Sequence, residues 1–311
     1  MNDYKHTPVL LEEVLTGLNL RPNGFYVDCT FGRGGHSRAI LNSLNGQGRL
    51  LIMDKDLKAI EHANHLFTND PRVTCMHGSF TKLSETVDRL KLLGTIDGVL
   101  LDLGVSSPQL ENPDYGFSFA RDGKLDMRMN ATVGMTAAEW IKTAPQEEIE
   151  RVLRVYGEER YAKRIARAII HTREQESISN TLQLANIVSS AVPTKERNKH
   201  PATRTFLAIR IYINNELDEL RSVLSQIREV LRPGGRLVVI SFHSLEDRIV
   251  KQYMRSASKG DDYPPEIPFL AWEVAPWFRV INKAIKPKAA EISRNPRARS
   301  AVMRVGEKLA A

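Results

Sequence analysis

Four short apolar runs in the first hundred residues alternate with stretches of helical periodicity, and this alternation restricts the fold more than any other feature of the chain. The runs are Phe25-Tyr26-Val27, Leu50-Leu51-Ile52-Met53, Val73-Thr74-Cys75-Met76 and Val99-Leu100-Leu101. Between them Ser37 to Leu44, Leu57 to Phe67 and Lys82 to Leu93 read as helices. Strands alternating with helices imply βαβ units and a parallel sheet. A fifth strand, Arg236 to Phe242, follows a long helix spanning roughly Asn214 to Leu231, which ends in Arg232-Pro233-Gly234-Gly235. Segments near Phe278 to Asn282 and Ser300 to Val305 read as a terminal hairpin.

Between strands four and five the pattern turns helical, with helices expected over Ala137 to Lys142, Glu147 to Val155, Glu158 to Thr172 and Leu182 to Ser190. The chain therefore reads as one discontinuous α/β domain, residues 1–107 and 211–311, interrupted by a helical domain over 108–210. Such an insertion leaves the sheet at its carboxyl edge, where open α/β folds bind ligands.

The distribution of charge points to the partner. The 311 residues carry a formal net charge of +7. Arg151 to Arg210 alone holds twelve Lys/Arg against five Asp/Glu. Lys283 to Arg304 adds seven basic residues against one acid. A basic chain of this kind favours a polyanion. No apolar run approaches a membrane span, and the first residues lack a signal core. Cys29 and Cys75 fall in predicted strands and read as buried apolar side chains in a reducing compartment, with no metal-ligand spacing. The expected location is the cytoplasm, with no membrane and no metal.

The first strand runs into Asp28-Cys29-Thr30-Phe31-Gly32-Arg33-Gly34-Gly35-His36-Ser37 and then a helix. A glycine-rich turn there lets a ligand approach the backbone. A dinucleotide would want a third glycine where Ser37 stands, and Asp28 would repel its pyrophosphate. S-adenosylmethionine carries an ammonium and a sulfonium, for which an acid is favourable; a purely structural turn is the other reading. Asp54, ending strand two, can accept from both ribose hydroxyls, or cap the next helix, a task for which Asp56 is better placed. Phe80 can stack on adenine or pack in the core. Asp102, ending strand four, stands where the transferring methyl would lie, or caps the loop.

These residues fall within stretches that resemble one family. Lys5 to Leu15, Asp28 to Ser37 and Asp97 to Gln109 are similar to motifs of the bacterial 16S rRNA (cytosine-N4)-methyltransferases, the MraW or RsmH family. Gly116 to Phe119, Leu125 to Met129, His200 to Phe206, Ser241 to Arg248 and Asn295 to Ser300 follow in the family's order. Lys124 stands where the family pattern has proline and Asn130 where it has aspartate. The resemblance implies a Rossmann-like class I methyltransferase sheet with an inserted, mostly helical second domain. It implies that Gly34, Gly35, His36, Asp54, Phe80, Asp102 and Gln109 contact S-adenosyl-L-methionine. The implied reaction is N4-methylation of a cytidine in the decoding region of 16S rRNA, in the small ribosomal subunit or its precursor. A homodimer is compatible with this reading.

Transfer to the N4 amine needs an acceptor beside the nitrogen as it becomes cationic. Asp102 is the first candidate, and Ser106 or the loop backbone the second. The base must be unpaired or flipped. Tyr115 to Phe119 can stack on it or plug the space between the domains, and His243 can bond it or be structural. Arg160, Lys163, Arg164, Arg167 and His171 recur at helical spacing as a basic stripe suited to phosphates, with a basic loop of Lys195, Arg197, Lys199 and His200 beyond it. A DNA amino-methyltransferase would carry an Asp/Asn/Ser-Pro-Pro-aromatic loop after strand four, and a small-molecule enzyme would not need the stripe. An RNA-binding factor without turnover is the alternative of a different class.

Overall fold

In the computed structural model residues 8–193, 200–259 and 276–310 are described. The strands are β1 (Phe25–Asp28), β2 (Arg49–Asp54), β3 (Val73–His77), β4 (Ile96–Asp102), β5 (Leu231–Ser241), β6 (Phe278–Val280) and β7 (Val302–Lys308). The helices are α1 (Leu11–Leu18), α2 (Gly35–Asn42), α3 (Leu57–Leu66), α4 (Leu83–Arg89), α5 (Ser107–Glu111), α6 (Ala137–Thr143) and α7 (Gln146–Gly157). They continue with α8 (Ala162–Arg173), α9 (Thr181–Ala191), α10 (Thr203–Ile213), α11 (Glu216–Val230), α12 (Ser244–Lys259) and α13 (Ala289–Arg294). The chain divides into two compact units, residues 1–104 with 217–311, and residues 105–216.

The first unit holds a seven-stranded sheet in the order β3-β2-β1-β4-β5-β7-β6. Five strands are parallel, and β7 runs antiparallel to both β5 and β6. Side chains of a strand alternate between faces, so each central strand feeds two cores. Val27, Leu51, Met53, Val99, Leu101, Leu237 and Val239 pack with Leu83 and Val87 of α4, Leu220, Val223 and Leu224 of α11, and Val250 of α12. Their neighbours Tyr26, Leu50, Ile52, Leu100, Val238 and Ile240 pack with Val14 of α1, Ile40 of α2 and Ile60 and Ala63 of α3. Burial on both faces explains why the sequence shows continuous apolar runs in place of alternation. Truncating a fully buried leucine such as Leu100 to alanine would cost roughly 2–5 kcal/mol.

Two sequence expectations shift. The terminal strands do pair antiparallel, but α13 and a 3-10 turn over Pro296–Ser300 lie between them, so they do not form a tight hairpin. Arg232-Pro233-Gly234-Gly235 belongs to β5, bulging between the pairs Ile96–Leu231 and Gly98–Arg236, with Gly234 at φ 76°.

The second unit is helical, built from α5 to α10. Its core collects Trp140, Ile149, Leu153, Ile165, Ile169, Leu184, Val188, Phe206 and Ile209. Glu148 ties three helices together, accepting from Trp140 Nε1 at 3.0 Å and from Tyr212 Oη at 2.5 Å. These two bonds hold its carboxyl below the usual range. The expected helix from Glu158 begins instead at Ala162, because Glu158 adopts a left-handed conformation, φ 49°, and ends α7. In the Leu125 to Met129 motif Asp126 pairs with Arg128 at 2.8 Å, and Met127 is left-handed at φ 62°. Asn214 holds that turn, donating to Met127 O and accepting from Met129 N, both at 2.7 Å. Among the described residues no helix is long and apolar enough to cross a membrane.

Candidate active site

Parallel strands end together, so β1, β2 and β4 deliver Asp28, Asp54 and Asp102 to one edge of the first unit's sheet. The glycine turn between β1 and α2 interlocks the three acids. Gly32 N donates to Asp54 Oδ2 at 2.9 Å, while Asp56 N donates to Asp54 Oδ1 at 2.8 Å. Asp102 N donates to Thr30 Oγ1 at 2.7 Å. Asp28 accepts from Ser37 Oγ at 2.6 Å and from Thr30 N at 3.1 Å. Asp56 is the N-cap of α3, accepting from Lys58 N at 3.0 Å.

The turn leaves little room for side chains. Gly34 has φ 74°, and a methyl group on it would stand 2.5 Å from the Phe31 ring. A methyl on Gly35 would stand 2.3 Å from Cγ of Pro8. Glycine is the residue that brings α2 and its first turn this close to its neighbours.

Burial first, and neighbouring negative charge second, disfavour the ionised forms of Asp28 and Asp54. Burial, opposed by the bonds from Gly32 and Asp56, pushes the Asp54 carboxyl up to about 6. Burial also raises that of Asp28 above its ordinary value. A cationic ligand would relieve this concentration of negative charge, and an anionic one would worsen it.

His36 opens α2 and is 6% exposed. Its Nε2 lies 3.6 Å from Asp102 Oδ2. Both ring nitrogens and Asp102 Oδ1 are buried without a hydrogen-bond partner among the described residues. Leaving such groups unpaired costs about 1–3 kcal/mol each, which marks a place built for a ligand. The acids, the glycine cradle and these unpaired atoms fit a donor with a sulfonium, an ammonium and ribose hydroxyls.

The other sequence candidates have partners of their own. Phe80 opens a short 3-10 turn capped by Ser79 and packs, partly buried, against the core beneath α4. His243 precedes α12, its Nε2 3.1 Å from Glu246 Oε1. Glu246 also accepts from Phe242 N at 2.8 Å, so the pair organises the start of α12. Ser106 and Gln109 belong to the helical unit, where Gln109 Oε1 accepts from Ser106 N at 2.9 Å in a capping box that opens α5. Within the aromatic segment Phe117 is a core residue, and Phe119 stacks on His200 with ring centroids 4.5 Å apart. Phe119 also meets Phe206 edge-on, with ring centroids 4.9 Å apart, so these rings pack within the helical unit.

Arg160, two residues before α8, and Lys163, Arg164, Arg167 and His171 on α8 are all exposed, whereas Ile165, Ala166 and Ile169 of the helix are buried. No ion pair among the described residues engages the four Arg and Lys side chains. Glu159, one of the two acids nearest in sequence, is buried and accepts from Tyr161 N at 2.9 Å. Lys195, Arg197 and Lys199 lie outside the described residues. Sequence reading missed the roles of Thr30 and Ser37, although both sit within the turn it had singled out.

The profile of the MraW methylase family matches residues 3–309. Among solved structures, one described as a candidate rRNA methylase from Clostridium thermocellum is 13% identical, with 97% of this chain and 98% of that one covered and a TM-score of 0.46. A SAM-dependent O-methyltransferase from Thermotoga maritima is 12% identical, with 100% and 70% covered and a TM-score of 0.43. A candidate methyltransferase from Streptococcus mutans in complex with SAH is 12% identical, with 98% and 100% covered and a TM-score of 0.41. These likenesses are distant, and membership rests on the profile match.

Proposed function

The chain belongs to the MraW methylase family of S-adenosylmethionine-dependent rRNA (cytosine-N4)-methyltransferases, and from this premise we propose that it methylates N4 of one cytidine in the decoding region of 16S rRNA. The substrate is the small ribosomal subunit or its precursor, in the cytoplasm. The observation that carries this reading is the set of buried atoms without a hydrogen bond on His36 and Asp102, beside the glycine cradle. Residues 108–210 act as the RNA-recognition domain.

S-adenosylmethionine, when bound, would supply an electrophilic methyl group from its sulfonium, the carbon–sulfur bond breaking to leave a neutral thioether. Gly34, Gly35, His36, Asp54, Phe80, Asp102 and Gln109 hold it, with Asp54 toward the ribose hydroxyls. The N4 lone pair of cytosine is delocalised into the ring, and the nitrogen becomes cationic as its bond to the methyl forms. Asp102, whose Oδ1 has no partner among the described residues, stabilises that charge and leads one N4 proton away;. Ser106 is the alternative acceptor. Much of the remaining acceleration comes from fixing the two reactants in line. His243 contacts the extruded base, and Arg160, Lys163, Arg164 and Arg167 hold the RNA by its phosphates.

Mass spectrometry of nucleosides from the small-subunit rRNA of cells lacking the protein tests the proposal. An N4-methylcytidine should disappear from one decoding-region position and return with the purified enzyme. An unchanged nucleoside profile would overturn it.

A further inference from the structure

The second basic cluster of the sequence lies on the first unit, apart from the stripe on α8. In this segment a few apolar residues anchor the chain while the cations stand in solvent. Pro287, Ala298 and Ala301 are buried, while Lys283, Lys286, Lys288, Arg294 and Arg299 are exposed. No ion pair among the described residues engages these five. The one acid between residues 283 and 304 is Glu291, and it is turned inward, its Oε1 accepting from Leu10 N at 2.8 Å. Ordinary surfaces intersperse the two signs; this one does not.

The platform is also held in place. Ile285 bridges Met303 through backbone bonds of 2.9 and 2.8 Å, and the Asn295 side chain accepts from Arg297 N at 3.2 Å. Register puts it at the working edge of the sheet. β7 begins at Val302 opposite Ser241, and the next pair along β5, Ile240, stands opposite Asp102 of β4. Residues just before β7 therefore emerge at the edge that carries Asp102. Glu291 fastens the segment to Leu10, two residues from the Pro8 that packs on Gly35 of the glycine turn.

We propose that Lys283, Lys286, Lys288, Arg294 and Arg299 form a phosphate-binding surface on the catalytic unit itself, which grips the RNA backbone beside the nucleotide being modified. This rests on the reading of the substrate as rRNA. A rigid array of unopposed cations at the reaction edge suits a polyanionic strand, whose counterions are released on contact. Because phosphates carry no sequence information, the surface contributes affinity and register while specificity comes from elsewhere.

The test uses the full-length chain and a fragment of small-subunit rRNA, titrated over a series of salt concentrations. A variant combining Lys283→Gln, Lys286→Gln, Lys288→Gln and Arg299→Gln should bind the RNA more weakly, by roughly tenfold or more, with a log–log salt slope shallower by about three units. Its donor affinity, measured by calorimetry, should match that of the wild type. A slope equal to the wild type would overturn the inference and leave the proposed function standing. Wild-type protein that shows no salt-dependent binding of this RNA would instead remove the proposed function, and the inference with it. If the Gln variant loses donor binding, a second variant with Lys283, Lys286 and Lys288 changed to Arg decides. Wild-type RNA affinity in that variant supports phosphate contact, and a loss there overturns it. Binding to anionic phosphatidylglycerol vesicles, abolished by the Gln variant while RNA binding is unaffected, would also overturn it.

Discussion

Nε2 of His36 lies 3.6 Å from Oδ2 of Asp102, too far for a hydrogen bond, and both imidazole nitrogens are without a partner among the described residues. The fold brings the two together by different routes. Asp102 ends a central strand and is fixed through its own N–H to Thr30, whereas His36 opens the helix after the glycine turn. Buried polar atoms without a hydrogen bond cost about 1–3 kcal/mol each, a cost that bonds to a ligand would offset.

Asp102→Asn keeps the shape of the side chain and removes its charge. If Asp102 is the acceptor for N4, the methyl-transfer rate should fall by roughly two or more orders of magnitude. The measurement is single-turnover, with saturating donor and pre-bound RNA, so that binding losses are not read as slow chemistry. A near-normal rate would pass the role to Ser106 or the loop backbone.

Asp54 should make donor binding depend on pH. Its carboxyl is raised from 3.8 to about 6 in the folded chain, so donor affinity should weaken as pH falls through about 6 and the charged acceptor is lost. The stability of the donor-free protein should move the other way. A raised carboxyl binds its proton more tightly when folded, so this contribution is present at low pH and is lost as pH rises from about 4 through 6, at most about 3 kcal/mol in all. Asp54→Ala should remove the pH dependence of donor binding and weaken it by about 1.5–3 kcal/mol per lost bond. Calorimetry at pH 5 and pH 8, chosen to lie about one to two units either side of the shifted value, checks both. Equal affinities at the two would remove Asp54 from the site.

Gly34→Ala should damage the cradle through its backbone. The left-handed φ of 74° and a methyl 2.5 Å from the Phe31 ring act together. Strain of this kind costs roughly 1–3 kcal/mol. Donor affinity should drop and the melting temperature should fall; a variant with wild-type values for both would show that the turn tolerates a side chain.

Replacing Arg160, Arg164 and Arg167 with alanine should flatten the salt dependence of RNA binding by roughly two to three units while donor affinity stays the same. These side chains are exposed, Arg160 just before α8 and the other two on it, so the fold should be unaffected, with melting temperature as the control. An unchanged slope would mean that the stripe is a solvated face.

Local periodicity determined which segments are strands and which are helices. The apolar runs at Phe25, Leu50, Val73 and Val99 all became strands; those of β1, β2 and β4 are buried on both faces, which admits little but apolar residues, while β3 lies at the sheet edge. The charge of Asp28 beside Gly32, Gly34 and Gly35 announced a cationic ligand before any geometry was known. The weaker elements escaped notice. The helix α10, with Arg204 and Arg210 among apolar residues, shows little amphipathic contrast, because α7, α6 and Phe119 all pack against it. Its Phe206 and Ile209 are buried, while Tyr212 reaches Glu148 across to α7.

What the sequence by itself determined was therefore the class of sheet, the existence of a helical insertion and the chemistry of the turn, since each follows from neighbours along the chain. The tertiary structure alone decided which of those groups meet. Strand order β2-β1-β4 places Asp54 and Asp102 on either side of the Asp28 turn, although they are 48 positions apart in the sequence. It also brought Gln109 to a helix cap and Glu291 to Leu10, and left both ring nitrogens of His36 without a hydrogen-bond partner among the described residues. Such pairings depend on backbone groups brought close by packing. A backbone N–H or C=O is the same at every residue but proline, so the list of side chains cannot reveal which one a given Asp, Glu or His will find.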